Sequence, residues 1–64
     1  MKEGTELKER REKLGYTQEQ VAEKAGISLR AYKMYESGER IPRADVMSRI
    51  AKVLRTSVER LLKT

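Results

Sequence analysis

Sixty-four residues make one domain with a small core and no room for a cleft between two lobes. The chain has neither cysteine nor histidine, which excludes disulfides and thiolate metal sites and removes the commonest metal ligand and general base. Its formal net charge of +5 favours a polyanionic partner, while apolar runs of only two or three residues leave no membrane span and argue against a secretion signal, so a cytoplasmic location is expected.

The first predicted helix runs from about Thr5 to Leu14, with Thr5 as N-cap and Gly15 as its stop. Its apolar face is thin: Leu7 and Leu14, with Arg11 between them at helical spacing. A guanidinium on that stripe requires a partner, because an unpaired buried charge is costly. The second helix covers about 18–24. Thr17 with Gln20 three residues on fits a capping box, Tyr16 can staple against Val21, and Val21, Ala22 and Ala25 share a face. Gly26 follows, able to take the left-handed backbone that stops a helix abruptly. Ser28 is then a good N-cap for a third helix over about 29–36, where Tyr32 and Tyr35 lie on one face and Ile27 can staple against Tyr32. Two helices joined this tightly through a glycine make a helix-turn-helix, here spanning about residues 17–36.

Gly38 ends the third helix, and Pro42 disfavours helix at Ile41, so residues 39–42 form a loop. The fourth helix starts soon after Pro42 and runs to about Leu54, its stripe composed of Ala44, Met47, Ile50, Ala51 and Leu54. Thr56 or Ser57 caps a short fifth helix that buries Val58, Leu61 and Leu62. The expected architecture is therefore all-α, a compact five-helix bundle filling residues 1–64 as a single domain, with its core within about 5–62. Helices this short form only by packing together. The core they share would comprise Leu7, Leu14, Val21, Ala22, Ala25, Ile27, Tyr32, Tyr35, Met47, Ile50, Ala51, Leu54, Val58 and Leu61. Tyr32 and Tyr35 suggest stacking on single-stranded bases, but their spacing assigns them to the core face. The basic excess lies late in the chain: residues 1–27 are neutral overall, and residues 49–64 carry a net +4.

Three tracts carry a family resemblance: L-G-Y-T-Q-E-Q-V-A-E-K-A-G-I-S from Leu14, Y-E-S-G-E-R-I-P from Tyr35, and I-A-K-V-L from Ile50, followed by S-V-E-R-L-L. Together they cover about residues 6–62, and the chain resembles the phage-repressor-like (xenobiotic-response-element, Cro/CI-type) helix-turn-helix family. The resemblance implies a lambda-repressor-like fold that places its third helix in the major groove of double-stranded DNA, usually as a homodimer on a two-fold-symmetric site. It implies base reading by Leu29, Arg30, Lys33 and Met34, and phosphate binding by Gln18, Ser28, Arg40 and Arg43. It also implies that Arg11 and Glu36 form an internal ion pair between helices one and three. No catalytic residues, metal or cofactor are implied. Chemistry agrees with those roles: Arg30 can present two donors to guanine, Leu29 or Met34 an apolar surface to the thymine methyl, and Gln18 sits at a helix N-terminus that attracts phosphate.

Three positions depart from the family pattern. Arg55 stands where a glycine commonly ends helix four, so that helix end is expected to be strained or reshaped. Arg10 occupies a position often apolar, which thins the face of helix one. Leu29 replaces a polar residue often used for base reading. The function expected is sequence-specific DNA binding by a transcriptional repressor. The rivals are an antitoxin-type regulator and a coactivator-like protein-interaction module of the same fold. An enzyme is excluded by the lack of any catalytic constellation.

Overall fold

A computed structural model describes the backbone of residues 5–62 and the side chains of residues 6–61. Within them the chain forms five helices: α1 Thr5–Leu14, α2 Gln18–Ala25, α3 Leu29–Ser37, α4 Ala44–Val53 and α5 Val58–Leu62. The capping assigned to Thr5 and the burial of Leu62 concern side chains outside the described residues. The starts of α2, α3 and α5 are built from local hydroxyls, while α4 begins after Arg43 with no side-chain cap. Thr17 Oγ1 accepts from the Gln20 N–H while Gln20 Oε1 accepts from the Thr17 N–H, a complete capping box. Ser28 caps α3 through the Ala31 N–H, and Ser57 rather than Thr56 caps α5 through the Arg60 N–H.

Helices α1 to α4 all end in a left-handed residue: Gly15, Gly26, Gly38 and Arg55. At α2 the Ile27 N–H returns to the Ala22 carbonyl at 3.0 Å, the closure that turns the chain directly into α3. Gly26 has φ 71°, which a side chain would make strained. The end of α4 repeats this closure with an arginine. Arg55 has φ 55°, its N–H bonds Lys52, and the Thr56 N–H bonds Ala51. Helix α4 therefore stops at Val53, one residue short of the expected end. Leu54 becomes the cap and still buries its side chain completely.

Among the described residues ten are buried: Leu7, Val21, Ala22, Ala25, Tyr32, Met47, Ile50, Ala51, Leu54 and Leu61. Leu14, Ile27, Tyr35 and Val58, expected in the core, are only partly buried and pack around it with Tyr16, Val46 and Val53. Ala44 lies on the α4 stripe but occupies the first helical position and is exposed. Helix α2 packs on both α3 and α4, while α1 packs on α3 and α5, and α4 on α5. Arg10 does more than thin the α1 face. Its Nε donates to the Leu54 carbonyl at 3.2 Å and its Nη2 to the Arg55 carbonyl at 3.0 Å, so a cation meets the carbonyl-rich end of α4.

Candidate nucleic-acid interface

Helix α3 is amphipathic. Tyr32 is fully buried against the core, and on the opposite side Arg30 and Lys33 are exposed while Leu29 and Met34 are half-buried. These four outward residues meet around one shallow depression, shared with Ser37 and Glu39. A second depression joins Leu29 and Lys33 to the start of α2 at Thr17, Gln18 and Glu19. Four donor or apolar groups of α3 thus face solvent together, next to a helix N-terminus whose backbone N–H groups carry partial positive charge.

Behind this face the helix is anchored by an ion pair. Arg11 grips Glu36 with two nitrogens, Nε to Oε2 at 2.6 Å and Nη2 to Oε1 at 3.3 Å, and its Nη1 donates to the Tyr16 carbonyl at 2.9 Å. The side chains are 13% and 5% exposed. Such a forked pair fixes orientation as well as charge. It ties α1, the corner before α2, and α3 into one unit. Gln18 Nε2 also donates to Glu36 Oε1, at 3.0 Å. Burial pushes the Glu36 carboxyl up, but the hydrogen bonds from Arg11 and Gln18, with the Tyr32 hydroxyl close by, outweigh it and hold the group below its ordinary value. The same burial, with the carboxylate beside it, pushes the Tyr32 phenol far above its usual range. That hydroxyl lies fully buried without completing a hydrogen bond of good geometry.

The remaining phosphate candidates are placed differently from one another. Gln18 is half-buried, with one amide N–H given to Glu36 and the other left over. Ser28 is exposed, and its oxygen is engaged at the α3 cap. Arg40 and Arg43 are exposed in the stretch between α3 and α4 and do not line the depressions along α3. Arg43 is 84% exposed and pairs with Asp45 at 3.4 Å, and Asp45 also meets Arg49 at 3.7 Å. Such exposed pairs contribute little and leave Arg43 available to another anion.

Sequence reasoning missed Lys8. It lines a third depression with Arg11, Gln18, Lys33, Glu36 and Ser37. The signal was present in its position three residues before Arg11, which puts the two side chains on one face of α1. Among the described residues no cluster of acidic side chains is arranged to hold a metal ion, and no helix is long and apolar enough to cross a membrane.

The chain is 41% identical over 61 residues to the cryptic phage CTXphi transcriptional repressor RstR of Vibrio cholerae, covering 95% of this chain and 54% of that protein. It is also 41% identical over 56 residues to an uncharacterized HTH-type transcriptional regulator of Mycobacterium tuberculosis, covering 88% of this chain and 40% of that protein. The chain therefore spans about half the length of the curated relatives it matches, or less. No solved structure is a significant match. Residues 7–61, from the first buried leucine of α1 to the last of α5, match the helix-turn-helix family model, and the chain belongs to that family.

Proposed function

We propose that this chain is the sequence-specific, double-stranded DNA-binding domain of a transcriptional repressor, with α3 laid in the major groove. The observation that carries the reading is the division of α3. Leu29, Arg30, Lys33 and Met34 face solvent together, while Tyr32 and Glu36 anchor the helix from behind. Arg30 offers two donors to guanine O6 and N7, Leu29 and Met34 offer an apolar surface to a thymine methyl, and Lys33 reaches a base or a phosphate. Gln18, Ser28, Arg40 and Arg43 hold phosphates and so set position without reading sequence. The Arg11–Glu36 pair keeps the reading helix at its angle. Similarity to a phage repressor supports a repressing role.

A single small domain covers little DNA, which favours a homodimer whose half-sites lie about 34 Å apart along the duplex. The C-terminal segment is the subunit contact, offered through the partly buried Val58 with Arg55 and Arg60 exposed around it, since Leu61 is taken up by the protomer's own core. Salt-titrated binding to random duplex DNA tests the first part: affinity falls steeply as salt rises. Absence of binding at low salt replaces DNA reading with a protein-interaction module. Sedimentation on a palindromic site tests the second part, with two protomers per duplex expected at saturation and one refuting the dimer.

A further inference from the structure

Lys33 borders all three depressions along α3. The third lies on the flank of α3, away from Arg30, and its opposite wall is α1. Lys8 of α1 and Lys33 of α3 stand exposed on either side. Its inner residues are the Arg11–Glu36 pair and Gln18, and the lining charges are Lys8, Lys33 and Arg11 against Glu36 alone, a net +2. The one carboxylate is already occupied by Arg11 and Gln18. An anion entering the depression therefore meets two ammonium groups and the remaining N–H of the Gln18 amide, without an uncompensated negative charge.

Resting on the DNA-binding reading above, we infer that this depression seats one backbone phosphate of the duplex, shared between Lys8 and Lys33 across the α1–α3 seam. Lys33 thus contacts the backbone and leaves base reading to Leu29, Arg30 and Met34. The phosphate belongs to DNA because the same lysine lines the reading depression, so backbone and base edges are engaged in one docked pose.

The test compares the parent with Lys8→Gln, Lys33→Gln and the double variant, measuring affinity for a random-sequence duplex across a salt series. Both side chains are exposed, so all three variants keep the parent's thermal melt. The double variant is expected to lose one phosphate, a fall of about 0.9 in the slope of log affinity against log salt. Its deficit relative to the parent then narrows about 3.5-fold between 50 and 200 mM salt. A fall twice that size means two separate phosphates and overturns the shared seat, and an unchanged slope means that none binds there. A shift in base preference with Lys33→Gln overturns the backbone role given to Lys33. A parent lacking salt-dependent duplex binding removes the DNA reading itself, an outcome separate from any of these.

Discussion

Arg10 reaches from α1 to the end of α4, its Nε donating to the Leu54 carbonyl at 3.2 Å. The second bond, from Nη2 to the Arg55 carbonyl, falls on the residue that carries the left-handed turn. A helix end leaves its last carbonyls without partners, and a guanidinium is well suited to take two of them. A charged hydrogen bond of this kind contributes roughly 1.5–3 kcal/mol when well formed, less when half-exposed. Arg10→Ala should accordingly lower the unfolding free energy by about 1–2 kcal/mol. Denaturant titration checks this, and an unchanged midpoint would show the contact to be idle.

Arg55 predicts the opposite sign. A left-handed conformation costs a residue with a side chain about 1–2 kcal/mol, and glycine avoids this while losing about 0.5–1 kcal/mol through its freer unfolded chain. The Arg10 bond goes to the backbone carbonyl and survives the change. Arg55→Gly is expected to raise stability by about 0.5–1 kcal/mol, and a lower denaturation midpoint would contradict it.

The Arg11–Glu36 pair carries a larger effect. Removing one partner leaves the other charge buried, at a cost of about 3–5 kcal/mol. A domain with about 5 kcal/mol in total is close to half unfolded at the upper end of that cost, so Glu36→Ala should melt far below the parent. Arg11→Ala with Glu36→Ala should be milder than the sum of the two single effects. A Glu36→Ala melt that matches the parent would reduce the pair to surface charges.

Acid unfolding follows from the same group. Glu36 is held below its ordinary value of 4.5 in the folded protein. Its contribution is therefore fully present above pH 4.5 and is lost as pH falls through the lower folded value. Stability measured by denaturant at successive pH values should decline below that point. Glu36→Gln should flatten that decline, and an unchanged acid profile in the variant would assign it to other carboxylates.

Arg30→Ala is expected to cost roughly 1–3 kcal/mol on the preferred site and to relax specificity at one base position. Selection from a random duplex library with parent and variant compares the two preferences directly. An identical consensus would remove Arg30 from the reading set.

Arg43→Ala should weaken binding about equally across sequences and lower the salt slope by about one. Its bond to Asp45 is solvent-exposed, so stability should hardly change. A shifted base preference with the slope intact would assign Arg43 to reading.

The sequence alone determined the elements and their punctuation. Thr17 with Gln20, Ser28 and Gly26 act within a few residues of themselves, and local geometry is nearly the same wherever such a segment sits. The stripe from Met47 to Leu54 likewise located the inner face of α4, because helical periodicity requires no knowledge of neighbours. The position of Arg11 on an apolar stripe showed that a partner was needed. Only the tertiary structure decided how partners meet across elements. Gln18 gives an amide hydrogen to Glu36, 18 residues away, and Arg10 reaches carbonyls 44 and 45 residues on. Lys8 enters the α3 surface only because α1 packs beside it. Such contacts depend on the angles at which helices cross, and those angles are set by the packing of the whole core rather than by any one segment.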